Sequence, residues 1–234
     1  MPRVTRRTAP LALALAASLL GAVGGCATGS DGPAGTSGHE RPTQAPPATA
    51  TPPTEAELGP GWDEQPDTPV VPDAELPQAE LDALLRVTAT GPDGAGACGP
   101  DDVAYLFTFS DAAAGHRYGS LDVTNTSAGA CTVSGYPGLG ARGAWGHAFE
   151  LVVEQTETGL DGSPTGTPVV ELAPGASARS AVEWTGELAG AESEPVSSLV
   201  VQLAQGQPAR LVAPGETDIG MLTTVRIGAL LPAG

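Results

Sequence analysis

Val103-Ala104-Tyr105-Leu106-Phe107-Thr108-Phe109 is the stretch on which the reading of this chain turns. Valine, tyrosine and two phenylalanines fall on every second residue, and successive side chains of an extended strand point to opposite faces, so the run predicts a strand with one apolar face. The same period recurs in Tyr118 to Asn125, where Leu121 and Val123 sit between polar neighbours, and in Phe149, Leu151 and Val153. Pro168 to Leu172, Ser177 to Trp184, Ser198 to Leu203, Arg210 to Ala213 and Leu222 to Leu230 are further candidate strands. Turn formers punctuate them: Asn125-Thr126-Ser127-Ala128-Gly129, Tyr136-Pro137-Gly138, Asp161-Gly162-Ser163-Pro164 and Ala173-Pro174-Gly175. Short strands at this spacing, with no long helical pattern between them, argue for an antiparallel sandwich or barrel. We read the fold as all-β, an antiparallel immunoglobulin-like β-sandwich over residues 98–234.

Upstream of Cys98 the composition changes. Residues 75–97 form an approach segment: Leu81, Leu84 and Leu85 lie at i, i+3 and i+4 and predict a short amphipathic helix, while Leu84 to Thr90 can equally begin a strand. Residues 26–74 are rich in Pro, Thr, Ala, Gly and acid, as in Pro46-Pro47-Ala48-Thr49-Ala50-Thr51-Pro52-Pro53. Such a segment has too little apolar surface to offset the entropy of ordering it, and it is expected to be a disordered linker. At roughly 3.1 Å per residue where extended, it would carry the domain on the order of 100 Å.

The first 25 residues complete the pattern. Arg3, Arg6 and Arg7 precede an uncharged run from Leu11 to Gly25, which is too short to span a bilayer and reads as a signal peptide. It ends in Val23-Gly24-Gly25-Cys26, which looks like the lipobox of bacterial lipoproteins, with cleavage before Cys26 and a diacylglyceryl group on its thiol. Two acyl chains hold a protein at a bilayer far more firmly than one. The expected location is therefore the outer face of the cell membrane, lipid-anchored through Cys26. Arg6-Arg7 leaves the twin-arginine and general export routes both open.

Ten basic residues, all arginine, stand against 27 acids, a formal net charge of −17. Loss of the three leader arginines leaves seven against 27, a charge of about −20. A chain this acidic repels phosphate backbones, so no nucleic-acid partner is expected. With Cys26 assigned to lipid, Cys98 and Cys131 remain, and outside the cytoplasm two such thiols most simply form a disulfide.

Four segments carry a resemblance: Ala114-Gly115-His116-Arg117-Tyr118; Leu121 to Ser127, ending in Asn125-Thr126-Ser127; Cys131-Thr132-Val133-Ser134-Gly135-Tyr136-Pro137-Gly138; and Leu172-Ala173-Pro174-Gly175-Ala176-Ser177-Ala178. Together they resemble the secreted or lipid-anchored actinobacterial proteins grouped as domain of unknown function 4232. The likeness runs from about Cys98 to near the C-terminus. It implies a β-sandwich behind a signal peptide and low-complexity linker, often with two cysteines matching Cys98 and Cys131, and it brings no assigned activity. The resemblance also implies, for many members, a second cysteine pair toward the C-terminus, which this chain lacks.

Several motifs tempt a chemical reading. Gly138-Leu139-Gly140-Ala141-Arg142-Gly143 fits GxGxxG, but no helix opens after it to aim amides at a pyrophosphate, so it is read as a turn. His116 and His147 have no HxH, HExxH or Cys-His spacing, so no metal site and no cofactor are expected, and His39 stands in the linker. Ser177 falls short of a nucleophile elbow and reads as a strand residue after a turn. Asn125-Thr126-Ser127 reads as a strand end rather than a glycosylation sequon. Asp101-Asp102 and the group Glu187, Glu192, Glu194 lack the register of a calcium loop and read as solvated charge. Trp145 and Trp184 read as packing residues; a carbohydrate platform needs an exposed ring. The expectation is a non-enzymatic interaction or ligand-binding module, with an envelope protein or cell-wall polymer as partner. The alternatives are a cell-envelope hydrolase or a carbohydrate-binding domain.

Overall fold

The computed structural model describes residues 64–67, 69–159, 162–186 and 194–234. The signal peptide, Cys26, His39, most of the linker, Asp161, Glu187 and Glu192 lie outside the described residues. In chain order the elements are a 3₁₀ turn at Asp73–Glu75, α1 (Gln78–Ala83), β1 (Leu85–Val87), β2 (Val103–Ala113), β3 (His116–Asn125), β4 (Cys131–Val133), β5 (Gly138–Gly143), β6 (Val152–Thr156), β7 (Val170–Leu172), β8 (Ser177–Thr185), β9 (Val196–Gln202), β10 (Arg210–Val212), β11 (Thr224–Gly228) and β12 (Leu231–Pro232). Both readings of the approach segment are realised, since α1 is a short helix and β1 a strand.

The strands form two main sheets. One has four strands in the order β1-β5-β9-β10, and the other runs β2-β3-β8-β11-β6 with β12 also paired to β8. A small β4-β7 ladder closes one end. The apolar periodicity explains the packing: Phe107, Leu121, Val182, Val225 and Ile227 of the six-stranded sheet meet Leu139, Ala141, Leu199, Val201 and Val212 of the four-stranded one. This is the face-to-face core of a sandwich. Trp184, 1% exposed, lies at its centre, with its ring centroid 5.6 Å from that of Phe107. Its indole nitrogen donates to Asp218 (2.9 Å). The ring is core, as expected, and forms no platform.

Pairing is antiparallel except between β6 and β11, which run parallel. Phe149 and Leu151 are buried in the core although the strand begins only at Val152. Of the predicted Leu222–Leu230 strand, β11 occupies Thr224–Gly228, and β12 follows beyond its end at Leu231–Pro232.

The clearest departure is the GxGxxG segment. It is not a turn: it is β5, buried along its whole length between β1 and β9. A side chain at Gly140 would lie 2.1 Å from the Leu84 carbonyl oxygen. Glycine is therefore needed for close backbone approach within a strand, a use that local turn preference does not reveal.

Cys98 and Cys131 are joined by a disulfide. It ties the segment before β2 to β4, where the Cys98 amide also donates to the Thr132 carbonyl (2.9 Å). Both cysteines belong to a second apolar cluster with Val103, Val123, Leu172 and Leu230.

Candidate functional site

The sandwich has two outer faces, and the chain treats them differently. On the four-stranded sheet, Leu81 of α1 packs on Val200 and Ala209, with Leu84 and Leu85 beside them. The residues just before α1 continue this cover. The Arg142 guanidinium, 5% exposed as a residue, pairs with Asp73 and donates to the Val71 carbonyl (2.7 Å). Asp73 in turn accepts from Ser198 (2.5 Å). A buried guanidinium needs a full set of acceptors, and here the incoming chain supplies them.

Beside this strap the Gly143–Ala148 loop wraps around Glu194. Its carboxylate, 2% exposed, accepts from the Trp145 amide (2.5 Å), and its other oxygen lies 2.9 Å from His147 Nδ1. Any side chain at Gly143 would collide with it. Glu194 was expected among solvated charges; instead it is a buried acid that organises a loop. No sequence signal separates it from an exposed glutamate, because its partners come from β5 and the following turn. Trp145, half-buried, lines a hollow of about 260 Å³ with Val70, Leu84 and Arg142, so the strap itself occupies its surroundings.

The outer face of the six-stranded sheet carries no such cover among the described residues. Alternation along β3 and β8 turns His116, Tyr118, Asp122 and Thr124, and Ser177, Arg179 and Glu183, away from the core. Across the strands these form ion-paired rows. Arg179 makes a bidentate contact with Asp122 (2.6 and 3.2 Å), and Arg226 donates to Glu154 (3.0 Å) with Glu183 at 3.8 Å. The hydrogen bonds to Asp122 and Glu154 push both guanidinium pKa values up. His116 Nδ1 sits 2.7 Å from Glu183. Among the described residues no group of three or more His, Cys, Asp or Glu is placed to hold a metal ion.

Among the described residues, two hollows open on this face. The smaller, about 220 Å³, lies among His116, Glu154, Glu183 and Arg226. The larger, about 640 Å³, lies over Asp122, Thr124, Ser177 and Arg179, walled by β7 and the C-terminal residues. Leu106, 61% exposed, stands at its rim. Ordinary small-molecule sites occupy about 300 to 1,000 Å³, and of these hollows the larger alone falls in that range.

The other singled-out residues are accounted for structurally. Ser177 opens β8 and shares a hydrogen bond with Thr124 (2.7 Å). Asn125 ends β3 and stitches the turn that follows. Asp101 pairs with Arg210, and Asp102 accepts from the Gly99 amide (3.0 Å). Tyr105 is half-buried with its hydroxyl fully enclosed, which pushes its phenol up to about 12, the nearby Arg210 charge pulling back against that shift.

Nothing matches among curated proteins or among solved structures. Residues 85–229 match the family described as domain of unknown function (DUF4232), a span that starts at β1 and ends just after β11. The chain therefore belongs to the DUF4232 family.

Proposed function

We propose that this chain is an extracytoplasmic lipoprotein, cut before Cys26 and held at the outer face of the membrane by lipid on that cysteine. Its sandwich acts as a non-enzymatic module whose open sheet face meets an envelope protein or a cell-wall polymer. The observation that carries this reading is the asymmetry of the two faces: the incoming chain covers the four-stranded sheet, and among the described residues nothing covers the six-stranded sheet on the opposite side. A domain tethered over one face presents the other outward. The Cys98–Cys131 bond supports the oxidising compartment, and it leaves Cys26 as the sole cysteine for lipid.

The test has two parts. Cells fed labelled palmitate are expected to yield a labelled, membrane-fractionating protein, and Cys26→Ala is expected to abolish the label. Crosslinking on intact cells is expected to trap an envelope component through the open face. An unmodified N-terminus on protein recovered from cytosol would overturn the anchor, and crosslinks confined to the strap side would overturn the role of the face.

A further inference from the structure

We infer that the hollow over Asp122 and Arg179 is a binding site for an uncharged, hydroxylated ligand, a sugar unit of an envelope polymer. This rests on the envelope placement proposed above and narrows the partner to one chemical class.

The lining sets the class. Thr124 and Ser177 share one hydrogen bond between two hydroxyls at 2.7 Å. One hydroxyl proton and several lone pairs therefore stay available at the floor. Arg179 is held by Asp122 through its Nε and Nη2, which leaves its Nη1 donors outside that pair; its side chain is 57% exposed. Glu171 adds acceptors on the β7 wall. Donors and acceptors thus alternate over a short distance, which is the demand of a polyol. Leu106 and Pro232 add aliphatic surface for the C–H face of a sugar ring, in place of an aromatic platform.

Electrostatics exclude the charged alternatives. Among the described residues the one guanidinium in the hollow, Arg179, is already neutralised by Asp122, and Glu171 adds negative charge, so an anionic polymer gains no counter-charge here. The surrounding mature chain, with seven arginines against 27 acids, repels it further. A cation finds Asp122 already committed to Arg179. An extended peptide cannot add to the floor of the hollow as a strand: β3 and β8 are interior strands whose amides and carbonyls are used in the ladders.

The experiment uses the oxidised mature chain from residue 26 with Cys26→Ser, titrated in amide NMR with neutral tetrasaccharides of glucose, mannose, galactose and N-acetylglucosamine. A glycerol phosphate oligomer is the anionic probe. At least one tetrasaccharide is expected to shift the amides of Thr124, Glu171, Ser177 and Arg179 with a Kd of about 1 mM or tighter. Arg179→Ala and Leu106→Arg are each expected to weaken it about tenfold, whereas Arg226→Ala, at the smaller hollow, leaves it unchanged. Leu106 is exposed, so its variant keeps the fold if the other does not. Saturation of these amides by the anionic probe, or no shift with any tetrasaccharide, overturns the inference. If sugars fail while Leu106→Arg still abolishes crosslinking to an envelope protein, the ligand class falls and the interaction module stands. If both fail, both fall.

Discussion

Removing the side chain of Asn125 is expected to cost the domain a large part of its stability. Asn125 is fully buried at the end of β3, and its amide uses every position it has. Nδ2 donates to the carbonyls of Gly129 (2.7 Å) and Leu172 (2.8 Å), while Oδ1 accepts from the Ser127 amide and hydroxyl (both 2.9 Å). It thereby joins β3, the turn after it and the end of β7. Each such bond is worth about 1 kcal/mol net, and stranding a buried partner costs about 1 to 3 kcal/mol. The Ser127 hydroxyl keeps a second acceptor at the exposed Gly129 carbonyl, so the loss falls mainly on the Leu172 carbonyl and the Ser127 amide. Asn125→Ala is therefore expected to lower unfolding free energy by about 3 to 5 kcal/mol, against about 5 to 15 kcal/mol for a typical domain. Urea unfolding of the oxidised mature chain reads this as a lower midpoint at unchanged slope. Asn125→Asp separates the bonding argument from mere volume. It keeps the acceptor to Ser127 but sets a carboxylate against two carbonyl oxygens, which favours the protonated acid and raises its folded pKa. A raised folded pKa gives stability that is present below the unfolded pKa, about 4, and lost as pH rises through the folded value. The Asp variant is thus expected to lose ground, relative to the parent, between about pH 4 and pH 7. The Ala variant, having nothing to titrate there, is expected to hold a constant deficit. An Ala deficit below about 1 kcal/mol, or an Asp deficit independent of pH, would refute the reasoning.

Reducing the disulfide, or replacing it with the pair Cys98→Ala and Cys131→Ala, opens a loop of sequence separation 33 and is expected to cost about 3 to 4 kcal/mol; thermal unfolding with and without reductant measures it, and an unchanged midpoint would contradict it. Tyr105, with its phenol pushed up to about 12 by burial, is expected to ionise after an ordinary tyrosine in a spectrophotometric titration. Because its folded pKa lies above the unfolded one, its contribution is complete below about pH 10 and is lost as pH rises through about 12. Its hydroxyl is buried without a hydrogen-bond partner, so Tyr105→Phe is expected to cost less than about 1 kcal/mol at neutral pH and to flatten that alkaline loss.

The alternating runs Val103–Phe109, Tyr118–Asn125 and Ser177–Trp184 were legible because period two is a property of neighbours along one chain. The same locality made Asn125 readable as a strand end and Ser177 as a strand start. The pairing of Cys98 with Cys131 followed from arithmetic once Cys26 was set aside. Membership of the family also lay in the residues. What the chain alone could not decide depended on partners far away in sequence. Gly138–Gly143 has the composition of a turn and becomes a buried strand because Leu84 and Leu85 cross closely over it. Glu194 has the composition of surface charge and becomes a buried acid because the loop after β5 turns its amides and His147 inward. Among the described residues α1 and the strap pack on one sheet alone, and the hollow on the other forms where β7 and the C-terminal residues come up beside β3 and β8. Such placements arise from tertiary contact: a side chain's environment is set by whichever segment the fold lays against it, and local sequence carries no record of that segment.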